Sequence, residues 1–459
     1  MQNSKIQSDI DVILNGIRSL YRNQQRIALY KLIYHTHPAD MAWVFRHLDE
    51  VERRDIFKYI SRMNGSGEFL SNLDASLITE ILTPLPAEKI SPMIDGLDSD
   101  DIVEILDALD TEKVSSISVL LEKSEQDDLS ELLRYPEESA GRIMNTHFLS
   151  FYENYTVNEA IQKFQSIGNK LDMTFYIYVV DEKNQLTGVL SLRQLLLSSP
   201  HEQLNDVMHT SIVSVSPETD QEKVAQLVSQ YNYFAIPVVD SENKLLGIVT
   251  VDDVIDIIHE EATEDILKLA GVGKDTEILL RPLSESVKTR FPWLFTSWIG
   301  GIIALWIIGH YNSLLNSTVA LASFIPVIMG MGGNIGMQTS TIIIRGIATG
   351  HVNIQNSLPI VFKEIAIGTS LGAIYGLFLG FLAFFKYIDT GISFNLGVVV
   401  GISVCFSMVI SVCFGSLVPI LLEKLKIDPA ISTGPFVTTA IDILGISIYF
   451  FTAQIFIDI

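Results

Sequence analysis

Long uncharged stretches in the carboxyl-terminal part of this 459-residue chain constrain its fold more than any other feature. No Asp, Glu, Lys or Arg occurs from Phe291 to Ile344, and further uncharged runs cover Ile365–Phe385 and Thr390–Leu422. A stretch of roughly 20 apolar residues is long enough to cross a bilayer as a helix. With a last run from Gly434 to Ile457, the sequence predicts five membrane-spanning helices. We number them spans one to five and expect them at about 292–311, 318–344, 358–385, 394–421 and 434–457.

A single carboxylate interrupts the last span. Asp442 is the only charged side chain between Gly434 and Ile457. An ionised carboxylate in hydrocarbon is expensive, so such a residue usually faces a bundle interior or a water-filled path. Pro435, Thr438 and Asp442 step at three and four residues, which places a carbonyl oxygen freed by the proline, a hydroxyl and a carboxylate on one stripe. This stripe predicts a path for a hard cation.

Span two carries a glycine-rich and polar stretch. Asn334 and Gln338 are four residues apart, so their amide oxygens share one face of the predicted helix. Two interpretations of the glycines remain open. Their missing side chains either make room for a hydrated ion or only allow close helix packing. The glycines of this stretch are Gly330, Gly332, Gly333 and Gly336.

Charge is distributed very unevenly along the chain. Residues 281–459 contain 8 basic and 7 acidic side chains, whereas residues 1–280 contain 23 and 47. So acidic a surface argues against nucleic acid as a partner and favours solvation or divalent counter-ions. Seven basic residues flank the spans on the side of residues 1–280, and only Lys386 lies on the other side. By the positive-inside rule we expect an integral protein of the cytoplasmic (inner) membrane, with residues 1–280 cytoplasmic and the carboxyl terminus external.

The first 135 residues show a helical pattern. Short amphipathic segments are separated by Pro, Gly and Asp, and Leu-Asp pairs open several of them. This predicts an all-α superhelical domain of stacked helical hairpins. We expect helices at Met41–Leu48, Val51–Ile60, Leu77–Leu82, Ile90–Leu97, Ile102–Leu109 and Val114–Leu121, with Leu-Asp pairs at Asp49, Asp74, Asp98 and Asp110.

Residues 143–262 contain an internal repeat. Ile177–Asp181 followed by Leu186–Ser191 recurs 59 residues later as Ile236–Asp240 and Leu245–Thr250, and a helix precedes each copy. This α+β pattern resembles a pair of CBS domains, which dimerise and sense adenine nucleotides or metal. In such domains a Thr or Ser followed three residues later by Asp commonly holds a ribose.

Only the second copy has this ribose pattern. Thr250 and Asp253 fit it, whereas Ser191 is followed by Gln194. The alternative for Thr250 is that it only caps the following helix. A nucleotide such as ATP would use Thr250, Asp253 and Arg193.

Three further segments together resemble the MgtE family of magnesium channels. They are YPEESAGRIM from Tyr135, GMGGNIGMQTSTIIIRGIATG from Gly330, and DPAISTGPFVTTAIDILG from Asp428. The resemblance covers essentially the whole chain and implies a multi-domain protein: an all-α superhelical N domain, an α+β tandem CBS pair and a polytopic α-helical membrane domain of five transmembrane helices. The implied boundaries are 1–135, 136–200 and 201–262 for these cytoplasmic domains, 263–290 for a connecting helix and 291–459 for the pore domain.

The resemblance also implies a function. In the family, Mg²⁺ passes along the two-fold axis of a homodimer, and Gly434 stands here where the family often has Asn. The implied ion path comprises Asp442, Thr438, Pro435, Asn334, Gln338, Gly332, Gly333 and Asp428. Mg²⁺ held by cytoplasmic carboxylates would lock the path shut at Glu68, Asp100, Glu104, Asp220, Glu222, Asp252, Asp253, Asp256, Glu261, Glu264 and Asp265. For Asp100 and Asp220, helix capping is the open alternative.

Other classes of function are weighed against transport of Mg²⁺. No phosphate loop, HExxH or CxxC motif occurs, so we do not expect an enzyme. A permease for Mn²⁺ or Co²⁺ and a membrane-anchored sensor without transport are the alternatives. Polar groups inside the spans argue against a mere anchor.

Overall fold

The computed structural model describes residues 2–167, 176–272, 283–432 and 434–457. The chain forms two compact units, Met1–Ile258 and His259–Ile459. The first unit contains the helical array and the repeated α+β module, and the second contains the membrane spans. Part of the predicted connecting helix, residues 273–282, lies outside the described residues.

Ten helices build the amino-terminal array within the described residues. Each of the four predicted Leu-Asp pairs precedes a helix, so this prediction is confirmed. Asp49 makes a full capping box, in which its carboxylate accepts from the Glu52 amide at 2.8 Å. The array comprises Gln2–Arg22, Arg26–His35, Pro38–Arg46, Glu50–Ile60, Ser66–Ser71, Ala75–Leu82, Ala87–Ile94, Ser99–Asp107, Thr111–Ser118 and Lys123–Leu132.

The six predicted helices all exist, and four others were missed. Helix Ser66–Ser71 has only six residues, too few to show a period, yet its Phe69 is fully buried against Phe45 with ring centroids 5.2 Å apart. Tertiary burial therefore stabilises this helix without a local sequence signal. The other missed helices are Gln2–Arg22, Arg26–His35 and Lys123–Leu132.

The repeated module folds as two similar α+β copies. The first sheet has the strand order β1(Ser150–Tyr152), β2(Tyr176–Val180), β3(Leu186–Ser191), and β4(Ala235–Val239) pairs antiparallel with β5(Leu245–Thr250). The 59-residue repeat extends to the two β-hairpins, because both have a register shift at the same place. The helices of this module are Val157–Ile167, Leu192–Leu197, Leu204–Val207 and Gln221–Tyr231.

The two hairpin turns bind each other. Asn184 and Asn243 adopt left-handed backbone conformations with φ of 60° and 62°, which Asn tolerates better than most residues. The Leu186 amide donates to the Asn243 carbonyl at 2.8 Å, and the Leu245 amide donates to the Asn184 carbonyl at 3.3 Å. The internal repeat therefore produces a pseudo-symmetric joint between the copies.

Among the described residues of the second unit, five helices are long and apolar enough to cross a membrane, as the sequence predicts. Helix Val251–Leu269 leads from the repeated module into this unit. Short helices at Asn312–Ser317, Ile354–Asn356, Ile388–Thr390 and Pro429–Ser432 lie between the spans. The five spans are Leu283–His310, Val319–Ala348 (a 3₁₀ turn to Phe324, then helix from Ile325), Leu358–Lys386, Ser393–Lys424 and Pro435–Ile457.

Glycines bring spans three and four into backbone contact. A Cβ at Gly376 would lie 2.5 Å from the Gly401 carbonyl oxygen, and a Cβ at Gly380 would lie 2.8 Å from the Gly397 carbonyl oxygen. Small residues at such crossings let membrane helices approach closely, where van der Waals packing drives their association.

We expect Gly376→Ala to destabilise the membrane domain by about 1–3 kcal/mol, because the added methyl overpacks against backbone that has no room to yield. The matched control is Gly301→Ala in span one, where an added Cβ meets nothing within 4 Å. The melting temperature of the purified chain in detergent measures both variants. A Gly376→Ala variant as stable as Gly301→Ala would contradict this packing account.

Candidate ion path and cytoplasmic acidic cluster

Span five begins at Pro435, and this corrects one prediction. A proline at the first helical position leaves no carbonyl unpaired inside the helix, so the expected freed carbonyl oxygen is not present in the span. The Thr438 hydroxyl donates to the Gly434 carbonyl at 3.4 Å, one turn back. Asp442 lies two turns into the helix and is half-buried. The stripe therefore consists of a hydroxyl and a carboxylate.

The glycines of span two differ in what surrounds them. A Cβ at Gly332 would lie 2.7 Å from the Ser407 hydroxyl of span four, and a Cβ at Gly336 would collide with Ile441 of span five. These two glycines are packing positions. Gly333 is different, because a Cβ there would lie 3.8 Å from the Asp442 carboxylate. That distance is ordinary van der Waals contact, so span two lies directly beside the carboxylate at this glycine.

Asn334 and Gln338 lie on the surface of the single chain. Both are exposed, while their neighbours Ile335, Thr339 and Ser340 are buried. Exposed amides on a membrane helix have no water partner in hydrocarbon, so they need protein or a water-filled cavity beside them. Span two therefore presents a polar surface next to the Gly333–Asp442 contact.

Asp428 lies just before span five, where it pairs with the connecting helix. Its carboxylate accepts from the Ala430 amide at 2.7 Å and forms an ion pair with Lys268, which also pairs with Glu264. Burial lowers the pKa of Lys268, but the hydrogen bonds that Lys268 donates to Asp428 and Glu264 outweigh burial, so its pKa is raised. Burial, with repulsion from Asp428, raises the pKa of Asp265 to about 6.

The end of the connecting helix packs against the start of span five. A Cβ at Gly434 would lie 3.2 Å from the Lys268 carbonyl oxygen, and a Cβ at Gly271 would lie 2.7 Å from the Pro435 ring. Gly434 therefore allows the close approach of this helix. A Cβ at position 434 would require the Lys268 backbone to shift by a few tenths of an ångström.

In the first unit, six carboxylates of the helical array and the second repeat copy interact; we call them the acidic cluster. Burial and then repulsion from Asp253 raise the pKa of Asp100 well above its ordinary value, although Asp253 and Asp100 are hydrogen-bonded. The same causes raise the pKa of Asp101 to about 7. Burial raises the pKa of Asp253 to about 6, although a hydrogen bond from Thr250 opposes the change. The acidic cluster consists of Glu68, Asp98, Asp100, Asp101, Asp252 and Asp253.

Helix capping, the alternative role for Asp100 and Asp220, applies to only one of these two residues. Asp98, and not Asp100, is the N-cap of helix Ser99–Asp107, so capping does not explain Asp100. Asp220 does cap helix Gln221–Tyr231, accepting from the Glu222 amide at 2.9 Å.

The other predicted regulatory residues are spread over several helices. Glu104 is exposed one turn after Asp100, and Glu222 accepts a hydrogen bond from Gln226 at 3.4 Å. Asp256 is exposed on helix Val251–Leu269, and Glu261 is partly buried there. Within the described ranges, no three Asp, Glu, His or Cys side chains converge closely enough to form a metal site in one chain.

Two of the three candidate nucleotide residues, Thr250 and Asp253, make protein contacts. The Thr250 hydroxyl donates to the Asp253 carboxylate, which the acidic cluster shares. Ser191 caps helix Leu192–Leu197 by accepting from the Gln194 amide at 3.1 Å, and Arg193 is exposed. A ribose bound by Asp253 would therefore compete with the contact between Asp253 and the helical array.

Sequence reasoning missed three polar residues of these sites. Asp101 was overlooked beside Asp100, although adjacent acids at a helix start are a visible signal. Lys268 has a local partner in Glu264, four residues earlier, but its pairing with Asp428 has no local signal because the two are 160 residues apart. Glu364 was overlooked because the uncharged run was counted from Ile365, yet it lies inside span three and is 7% exposed.

The raised pKa values predict a pH dependence of the acidic cluster. A carboxyl whose folded-state pKa is raised stabilises the fold when protonated, and this effect is lost as pH rises through the folded pKa. For Asp253 and Asp101 the loss begins near the unfolded-state pKa of about 3.9 and is complete once pH exceeds the folded-state pKa values of about 6 and about 7.

Without divalent ions, the melting temperature of the cytoplasmic part of the full chain should therefore fall between pH values of about 5 and about 8. Added Mg²⁺ should reduce the fall, because a cation replaces the protons. An Asp100→Asn/Asp101→Asn variant should melt at a more constant temperature. A wild-type melting temperature that rises over this range would contradict the burial of these acids.

Comparison with known proteins agrees with this architecture. Residues 325–452 match the family model MgtE, described as a divalent cation transporter. Residues 36–138 match the MgtE intracellular N domain, and residues 140–200 and 204–260 match the CBS domain. A helical array and a CBS pair joined to five candidate membrane spans thus define the architecture of a divalent-cation transport protein.

Relatives narrow this class to one family. The chain is 39% identical over 323 residues to the magnesium transporter MgtE of Bacillus subtilis, covering 70% of both chains. It is 37% identical over 328 residues to MgtE of Thermus thermophilus, covering 71% of both. The cytosolic domain of the Mg²⁺ channel MgtE in complex with ATP matches 53% of this chain and 99% of its own length, with 31% identity and a TM-score of 0.50. The chain belongs to the MgtE family, and the predicted fold class is confirmed.

Proposed function

We propose that the chain conducts Mg²⁺ across the cytoplasmic membrane along a path lined by Asp442. The observation that carries this proposal is the juxtaposition of the Asp442 carboxylate with the side-chain-free Gly333, 3.8 Å from the position of its absent Cβ. Mg²⁺ holds its waters tightly and prefers oxygen ligands, so a carboxylate, the Thr438 hydroxyl and nearby amides suit the hydrated ion. The names of the relatives support Mg²⁺ as the transported ion.

A second copy of the chain would complete the path. Asn334 and Gln338 are exposed on the membrane surface of one chain, beside Gly333. A two-fold homodimer that places these surfaces face to face would line a polar path with both sets of amides and both Asp442 carboxylates. The domain boundaries at 135, 200, 262 and 290 are part of the same proposal.

The proposal is tested with the purified chain in liposomes that contain a Mg²⁺-sensitive dye. We expect Mg²⁺ influx above that of empty liposomes. Competition by Mn²⁺ and Co²⁺ distinguishes a Mg²⁺ path from a permease for these ions. Absence of any divalent influx would favour the alternative of a membrane-anchored sensor.

Mg²⁺ bound by cytoplasmic carboxylates would close the path. Ions joining the acids of the helical array to Asp253 would replace the protons that hold these groups together, with water as the remaining ligands. The Lys268–Asp428 pair and the Gly271–Pro435 contact couple the connecting helix to the start of span five. Glu104, Asp220, Glu222, Asp252, Asp256, Glu261, Glu264 and Asp265 remain proposed members of these regulatory sites.

An adenine nucleotide is a further proposed ligand of the CBS pair. The related cytosolic domain was crystallised with ATP. In this chain Thr250, Asp253 and Arg193 would hold the ribose and phosphates. Because Asp253 also contacts Asp100, nucleotide binding would weaken the acidic cluster.

The proposed topology predicts external labelling of the carboxyl terminus. Asp458 lies outside the described residues, and Asp458→Cys in a background lacking Cys405 and Cys413 should react with an impermeant thiol reagent added to intact cells. Thr83→Cys in the helical array should react only after lysis. The opposite pattern would contradict the assignment of residues 1–280 to the cytoplasm.

A further inference from the structure

A second carboxylate is buried in the membrane domain, away from the predicted stripe. Glu364 lies six residues after the start of span three and is 7% exposed. The Thr339 hydroxyl of span two donates to its Oε2 at 3.2 Å. Lys363, its neighbour in sequence, is exposed, and within the described ranges no basic group is at ion-pair distance from Glu364. A buried membrane carboxylate with one neutral partner calls for a functional explanation.

The surroundings of Glu364 fix it in place. One turn earlier in span three, Val361 packs with Ile343 and Ile420 in a buried apolar cluster. On span four, a Cβ at Gly415 would lie 3.3 Å from Thr339 Cβ and 2.5 Å from the Gly336 carbonyl oxygen. The hydrogen bond therefore lies where spans two, three and four meet.

This bond holds span two about a third of a turn around the helix from the residue that borders Asp442. Thr339 follows Gly333 by six residues, which is about 9 Å along the helix and about 120° around it. Gly333 borders Asp442, and Gly336 packs against Ile441. A small rotation of span two would therefore move the glycine surface, formed by Gly333 and Gly336, relative to Asp442.

We propose that Glu364 is a positioning residue of the ion path: by accepting from Thr339, it sets the rotation and height of span two against Asp442. This inference rests on the proposed function and deepens it. It assigns Glu364 the role of hydrogen-bond acceptor and not of ion ligand. The distance between the glycine surface and the Asp442 carboxylate, and with it the fit of the hydrated ion, depends on this bond.

The test compares variants that keep the bond with variants that remove it. Glu364→Gln keeps an acceptor and Thr339→Ser keeps the donor, so both should transport Mg²⁺ like the wild type. Glu364→Leu and Thr339→Val should raise the half-saturating Mg²⁺ concentration about threefold and change the Mg²⁺ to Co²⁺ rate ratio. The control is Thr369→Val, which removes a hydroxyl bonded only within span three.

Rates are compared at equal amounts of folded protein, so a folding defect alone does not produce the expected result. The double variant Thr339→Val/Glu364→Leu should have the same half-saturating Mg²⁺ concentration as Thr339→Val alone, since both changes remove the same bond. If Glu364→Leu does not fold, Thr339→Val and Thr339→Ser decide. The inference would be overturned if Glu364→Gln were as defective as Glu364→Leu, or if the effects of the two single changes added up in the double variant. An unchanged Mg²⁺ to Co²⁺ rate ratio in Thr339→Val would also overturn it.

Failure of the inference differs from failure of the proposed function. If the wild type transports Mg²⁺ and Asp442→Asn does not, while Thr339→Val matches the wild type, only the role of Glu364 is wrong. If the wild type carries no divalent ion, both proposals fall.

Discussion

Asp442→Asn should reduce Mg²⁺ influx into liposomes at least about tenfold, since an ion contact worth about 1.4 kcal/mol changes a rate or binding constant tenfold. The amide preserves the size of the side chain and removes its charge. The hydrated ion then loses its only charged contact in span five, since Asp442 is the one charged residue between Gly434 and Ile457. Melting of the purified variant shows whether the fold is retained.

The matched control for this variant is Asp389→Asn. Asp389 lies in the short turn Ile388–Thr390 between spans three and four, outside the helices of the proposed path. The same chemical change there should leave influx unaltered. Influx at the wild-type rate in Asp442→Asn would remove the carboxylate from the path and with it the main support for conduction along span five.

Neutralising two members of the acidic cluster should keep the path open at Mg²⁺ concentrations that close the wild type. In Asp100→Asn/Asp253→Asn, four carboxylates of the acidic cluster remain and still repel, while two ligands for a bridging ion are gone. Ions close the path only as far as they bind the closed form better than the open form. Each lost ligand should raise the closing concentration by about tenfold.

Two measurements on the same variant separate gating from simple charge loss. Mg²⁺ should protect residues 1–258 of the wild type against proteolysis, and the variant should show weaker protection. Glu112→Gln/Glu182→Gln has the same change in net charge at exposed positions and should behave as the wild type. Closure of the Asp100/Asp253 variant at the wild-type concentration would mean that the acidic cluster is only a solvated surface.

The spans and their carboxylate were predictable because hydrocarbon imposes a strict rule on sequence. A charged residue inside an apolar run of 24 residues is visible without any contact information, as at Asp442. The Leu-Asp helix starts were predictable for a similar reason, since an N-cap is decided within four residues. The hairpin repeat was visible because it recurs at a fixed spacing.

Contacts between distant segments could not be predicted in this way. The Lys268–Asp428 pair joins residues 160 positions apart, and the Thr339–Glu364 bond depends on how spans two and three pack. The capping alternative for Asp100 does not hold, because the helix starts at Ser99 and Asp98 occupies its N-cap position. At Pro435 the sequence does not show whether a proline opens a helix or interrupts one.

The central claim is that this chain forms a Mg²⁺ path that cytoplasmic Mg²⁺ closes. It is tested most directly by recording current through the purified wild-type chain in a planar bilayer, with Mg²⁺ as the only permeant cation. With little Mg²⁺ on the side of residues 1–280 we expect a Mg²⁺ current, and stepwise addition of Mg²⁺ to that side should abolish it. Absence of Mg²⁺ current at every concentration, or a current that only grows as Mg²⁺ is added there, would contradict the account.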